Sequence, residues 1–446
     1  MFPNPQDALP IPPHPDIEHY RKISKDLVKA CKSNEPESVR KWATGWVTAL
    51  VKLSGVVMTS QLPVQTGRWI QQVEEVARRI LQGGEPPAKA CTLAHAHFVI
   101  ARSHGFESWP KFTKHVKALL RNSSPESRFE AAADAIVAGD LERLEQLLRD
   151  DPELIHARSA REHGATLLHY TSANGVEGFR QKTPKNIVAI ADRLIQAGAE
   201  VDATANVYGS DCTTLGLAAT SVHPERAGVQ EALLEKLLNH GASLHRTLVA
   251  GRTDTIVVAC VANGQPKAAA FLASRGAPLN LEGAAALGRL DIVKTRFDEN
   301  HSNRKQLESA YGYACAYGRK DIVEFLLGAG IDVASPNTEG RTGLHDAAYG
   351  AQVEIVALLV ERGCPVEVKD QSYGATALDV ALWVWNHTSE IVTRARCYQV
   401  VRLLAEAGAK LDPRQWQSGD DPPSPILEEI RGDRRMIEAL AARTSP

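Results

Sequence analysis

Apolar residues recur along this chain at i, i+3 and i+4 in short runs such as "IVAIADRLIQ", "LLEKLLN", "DIVEFLLG" and "EIVALLVE", a spacing that predicts amphipathic helices. Each run closes on a glycine followed three places later by an apolar residue: "AGAEV" around Gly198, "HGASL" around Gly241, "RGAPL" around Gly276, "AGIDV" around Gly330, "RGCPV" around Gly363 and "AGAKL" around Gly408. Glycine stops a helix because it adopts the left-handed conformation without a Cβ clash, and the apolar residue beyond it packs back over the helix end. Upstream of each amphipathic run lies a shorter helix of small residues, as in "TLLHYTSANG", "TGLHDAAYGA" and "TALDVALWVW". Thr342 and Thr376 are predicted to cap these inner helices through their hydroxyls. Ala347, Ala348 and Ala381 keep them thin enough for neighbouring units to stack.

The order is therefore a turn, an inner helix and an antiparallel outer helix, with Gly330 and Gly363 separated by 33 residues. This pattern resembles the ankyrin repeat, whose Thr-Pro-Leu-His-x-Ala signature is matched by "TLLHYT" and "TGLHDA". The resemblance covers roughly residues 126–446 and implies an all-α ankyrin-repeat solenoid of about nine helix-turn-helix units, several of them degenerate. Proline is absent after Thr166, Thr342 and Thr376, and histidine stands only at His169 and His345, with Asp379 in its place one repeat later. The intervals Gly198 to Gly241 and Gly363 to Gly408 exceed one period by ten and twelve residues, which predicts insertions near "SVHPERAGVQ" and "NHTSEIVTRARC" and extra loops there. "LEGAAALGRLDIV" follows "APLN" directly, so that unit is expected to lack its projecting turn. The terminal units "FEAAADAIVAGDLERLEQLLRD" and "SPILEEIRGDRRMIEALAA" carry charged faces suited to capping a stack.

Residues 16–121 do not follow this period and read as a separate domain of four or five helices preceding the repeat domain at 126–446. The segment "LAHAHFVIARSHGFESWPKFTKHVKAL" resembles a helical module that precedes ankyrin arrays in many bacterial proteins, a resemblance that implies no chemistry. Residues 1–15, with six prolines, are expected to form an extended arm. They lack the apolar core of a signal peptide, and no stretch is apolar enough to span a bilayer.

Charge and cysteine usage narrow the function classes. The net charge of -2 over 446 residues gives no basic field for nucleic acid, and seven scattered cysteines give neither a disulfide framework nor a zinc ribbon. The expectation is a cytoplasmic monomer with a protein partner, no nucleic acid, no membrane and no cofactor. His95, His97 and His104 form the densest histidine cluster, yet on one helix His95 and His97 lie about 200° apart and His97 and His104 about 10 Å apart, so neither pair chelates one ion and no metal site is assigned. His169 and His345 fall where the resemblance implies a hydrogen bond to the neighbouring turn, and no nucleophile or oxyanion site accompanies them, so no catalytic residue is assigned.

Two functional readings remain. The first is a binding scaffold, not an enzyme, recognising a protein through the extended concave surface of stacked repeats. The second is an enzyme or small-molecule binder with a pocket between the N-terminal helices and the first repeats, using insertion residues such as His223. For the scaffold, the candidate contact residues follow from register. Tyr349 is the seventh residue after its capping threonine, Trp383 takes the same place in the next unit, and Tyr317 lies one position later in the preceding unit. These three are expected to form an exposed stripe, with Trp385 and the turn residue Tyr373 beside it and Asp346 flanking it.

Overall fold

The computed structural model describes residues 4–33, 35, 37–54, 62–82, 91–121, 123–245, 255–300, 303–337, 339–412 and 425–442. It divides into two compact bodies, residues 1–272 and 273–446. In the N-terminal body, helices Ile17–Lys32, Ser38–Leu53, Leu62–Gln82, Leu93–Ser103 and Trp109–Leu119 close around Trp46, Trp69, Ile100, Phe106 and Phe112. The three histidines of the sequence cluster separate in space. His97 stacks on Trp109 at 4.0 Å, and the backbone N–H of His95 donates to Thr92. His104 is fully buried against Phe112, with its Nδ1 3.1 Å from the Leu9 carbonyl, and desolvation lowers its imidazole to about 3.

The proline-rich start is anchored rather than projecting. Ala8 and Leu9 are buried, the Leu9 N–H donates to the Ser103 carbonyl, and Asp7 accepts from Gln72 and Arg68. Two apolar residues amid the prolines supply the reason: burying them outweighs leaving the segment solvated.

The repeats follow as helix pairs. The N-terminal body holds Pro125–Ala138 with Leu141–Asp150, the 3₁₀ turn Leu167–Ser172 with Ile187–Gln196, Thr214–Ala219 with Gln230–Asn239, and the inner helix Ile256–Ala262. The helix Pro266–Ser274 crosses from one body to the other. The C-terminal body continues with Leu281–Leu287 and Leu290–Asn300, Arg304–Ala316 and Lys320–Gly328, Gly343–Tyr349 and Val353–Glu361, Ala377–His387 and Ile391–Glu406, and finally Pro425–Gly432 and Arg434–Leu440. Nine pairs are thus present among the described residues. Its core is one continuous cluster in which inner helices face each other through Ala284, Ala310, Ala347, Ala348 and Ala381. The close packing explains a glycine that capping does not: a Cβ on Gly343 would stand 2.6 Å from the Tyr311 ring.

One expectation is corrected. The insertions do not form loops. "SVHPERAGVQ" folds into the short helix Val222–Arg226, and the twelve extra residues after Gly363 lengthen Ala377–His387 and Ile391–Glu406, because no glycine or proline interrupts "WVWNH" or "IVTRARC". The all-α class stands, with one small β-hairpin, Thr204–Val207 paired antiparallel with Ser210–Thr213 across a Tyr208-Gly209 turn whose residues both take positive φ.

Candidate functional site

In the C-terminal body, turn residues 336, 337, 339–342 and 370–376 lie beside the inner helices Gly343–Tyr349 and Ala377–His387. Each turn is fixed by its own bonds. The Arg341 carbonyl accepts from the Asn337 N–H at 2.8 Å, the Ala375 carbonyl from the Asp370 N–H at 2.9 Å, and the Gln371 N–H donates across to the Glu339 carbonyl at 2.8 Å. The inner helices start from capping boxes. Nδ1 of His345 accepts from the Thr342 backbone N–H at 3.1 Å and lies 2.9 Å from its hydroxyl, while Nε2 reaches the Ala375 carbonyl of the next turn at 3.1 Å. This set of partners requires the Nε2–H tautomer, and burial lowers the imidazole below its ordinary value, keeping it neutral. Asp379 performs the same capping for Thr376, accepting from its N–H and hydroxyl at 2.8 Å.

Between these two turns and helices lies a hollow of about 510 Å³ whose wall includes Tyr349, Tyr373 and Trp383. Tyr349 is 52% exposed, Trp383 43% and Tyr373 86%, so three large rings meet solvent at one place. Tyr349 and Trp383 stack with centroids 6.3 Å apart and 16° between planes, and Trp383 stacks on His387 at 4.4 Å. The Arg341 guanidinium sits 5.6 Å from the Tyr349 centroid and pairs with Asp346. Asp346 itself is 8% exposed, and burial raises its carboxyl to about 6 against the opposing pull of Arg341.

The structure therefore brings Tyr349, Trp383 and Tyr373 together and leaves the other named residues out. Tyr317 caps the helix Arg304–Ala316 one repeat earlier, is half-buried, and lies outside the hollow's described lining. Trp385 is fully buried, under Arg394 at 4.8 Å and beside Tyr398, so it presents no surface to a partner. Two residues along a helix turn the side chain by about 200°, which is why Trp383 faces out and Trp385 in. Asp346 acts only through Arg341. Glu339, Arg341, Asp370 and Asp379 also line the hollow; of these the sequence pointed only to Asp379, as the residue in the histidine's place, although the position of the others in the two turns was readable.

The N-terminal body has a second hollow, of about 550 Å³, lined among others by Asn174, Tyr208, Cys212, Thr220 and His223. Burial raises the Cys212 thiol and the Tyr208 phenol, the latter to about 12, and burial with Arg226 nearby lowers His223. Nearby, Glu130 and Glu177 are buried in a network with Arg161 and Arg180. Arg161 lies 2.7 Å from Glu130 and 2.8 Å from Glu177, and Arg180 2.6 Å from Glu130. Desolvation favours the neutral carboxyls, yet the two guanidiniums hold both well below the usual carboxylate range, Glu130 at about 2. Among the described residues no group of three or more potential ligands is placed to hold a metal ion, and no helix is long and apolar enough to cross a membrane.

Comparison with known proteins matches the family "Ankyrin repeats (3 copies)" at residues 281–370 and 311–415, the second span containing the aromatic hollow. The mouse RelA-associated inhibitor is 34% identical over 100 residues, 22% of this chain and 12% of that protein. The Caenorhabditis elegans ankyrin repeat and KH domain-containing protein mask-1 is 29% identical over 201 residues, 43% of this chain and 7% of that protein. The chain thus spans a small fraction of the length of these relatives. The crystal structure of the human ASB11 ankyrin repeat domain is 22% identical, with 60% of this chain and 96% of that chain covered and a TM-score of 0.32.

Proposed function

This chain is an ankyrin-repeat protein, and from that premise we propose that it is a protein-binding scaffold whose partner docks on the hollow walled by Tyr349, Tyr373 and Trp383. The observation that carries the reading is the exposure of three large rings at one groove. Isolated exposed apolar residues are ordinary, whereas clustered aromatics on a groove mark recognition surfaces. Their support is rigid: the inner helices that carry Tyr349 and Trp383 are capped, and the turn that carries Tyr373 is held by the bond from its N–H to Asp370 at 2.6 Å. Preorganisation of this kind lowers the entropy lost on binding. One relative is named a RelA-associated inhibitor. Within the proposal, residues 16–121 form a helical domain that accompanies the array at 126–446, and the chain acts as a cytoplasmic monomer without enzymatic activity.

Affinity capture from the native cell, followed by mass spectrometry, tests it. Tyr349→Ala, Tyr373→Ala and Trp383→Ala together are expected to remove the captured partner at an unchanged melting temperature. Each single change is expected to weaken binding by about 2 kcal/mol. Capture unaffected by the triple variant contradicts the reading.

A further inference from the structure

The charges around the rings narrow the partner's chemistry. Glu339, Asp370 and Asp379 line the hollow, and the single basic group among its described lining residues, Arg341, is paired with Asp346. The described wall therefore carries an excess of carboxylates beside three aromatic rings. Aromatic faces attract cations through the ring quadrupole, and carboxylates at the same site add to that attraction while repelling anions. The protein itself shows the preference: the Arg341 guanidinium rests over one face of Tyr349. Further along, Trp383 and Tyr373 remain exposed. Arg341 adds a second feature. Its Nε is buried out of reach of any docked group, so the exposed carboxylate Glu339 faces an incoming cation without competition from that donor.

Resting on the scaffold reading, we infer that the hollow takes a lysine or arginine side chain from an extended segment of the partner, its aliphatic stem against Trp383 and Tyr373 and its cation near Glu339. An apolar side chain would leave the exposed Glu339 carboxylate unanswered. A phosphate or a nucleic-acid backbone would be repelled by it.

The full chain labelled at its tryptophan indole nitrogens gives one resonance for each of seven tryptophans, and Trp383→Phe identifies that of Trp383. The probes are capped Gly-Lys-Gly, Gly-Arg-Gly, Gly-norleucine-Gly and Gly-Glu-Gly peptide amides, together with n-butylammonium. The lysine and arginine peptides and butylammonium are expected to shift the Trp383 resonance saturably, the norleucine and glutamate peptides not at all. Glu339→Gln, at an exposed position, is expected to weaken the lysine peptide by up to about fivefold and to lessen its salt dependence. Equal shifts with norleucine and lysine overturn the inference and reveal an apolar slot. A response to glutamate overturns it by showing that Arg341 dominates. No saturable shift with any probe also overturns it. In each of these cases, partner capture lost in the triple alanine variant leaves the scaffold reading standing, whereas capture retained removes both.

Discussion

His345 and Asp379 occupy one position in successive repeats and divide its work differently. The imidazole accepts from Thr342 on one nitrogen and donates to Ala375 on the other, whereas an ionised carboxylate only accepts. His345→Ala leaves the Thr342 N–H and the Ala375 carbonyl without their partner and is expected to destabilise the protein by about 3 kcal/mol, while His345→Asp keeps the cap and is expected to lose about half of that. Chemical denaturation of the two variants checks the order, and equal losses contradict the two-sided role. The capping threonines and this histidine were legible in the sequence because their spacing is local. The fate of Trp383 and Trp385 was legible only in part: their rotation by about 200° is fixed by the helix, but which of the two faces solvent depends on how Ile391–Glu406 packs.

At the scale of elements, the terminating glycines and the 3.6-residue periodicity marked the helix pairs, because each pair is built from local contacts. A recurring link between repeats was harder to see. The residue just before an outer helix caps a carbonyl at the end of the preceding inner helix: Asn186 to Gly139 at 2.8 Å, Arg319 to Ala286 at 2.9 Å and Gln352 to Ala316 at 3.0 Å. The residue types differ, so no motif announces the role; only long polar side chains with a donor at that register do. The β-hairpin 204–213 was missed for the opposite reason. Its "NVYGSD" stretch is a short turn signal overshadowed by helical neighbours, and Tyr208 accepts a left-handed backbone. In the candidate site, the aromatic register was readable, whereas the approach of the two turns that makes a hollow of it was not.

At the scale of the molecule, the least legible feature is the buried network of Glu130, Arg161, Glu177 and Arg180, assembled from residues up to 50 positions apart with nothing in the sequence to pair them. It gives the N-terminal body a defined response to acid. His104, His115 and His169 are buried with imidazoles lowered to about 3, 4 and 4, so the unfolded chain, with ordinary values near 6.5, binds more protons below that pH. Their contribution is complete above pH 6.5 and is lost as the pH falls toward 4 and then 3. Glu130, lowered to about 2, adds stability above its ordinary value that is lost between about 4.5 and 2. The melting temperature is accordingly expected to be flat near pH 7 and to fall steadily below 6.5; a curve still flat at pH 4.5 contradicts the buried neutral histidines.

The central claim, that a protein partner docks on the hollow of Tyr349, Tyr373 and Trp383, is tested most directly by photo-crosslinking in the native cell. A benzophenone amino acid replaces Tyr373, at the exposed edge of the hollow, or Glu354, on the exposed side of the outer helix Val353–Glu361. The account predicts a discrete crosslinked protein from position 373 that is absent from position 354 and lost when Trp383→Ala is added. Crosslinks of the same identity and yield from both positions, or none from 373, contradict it.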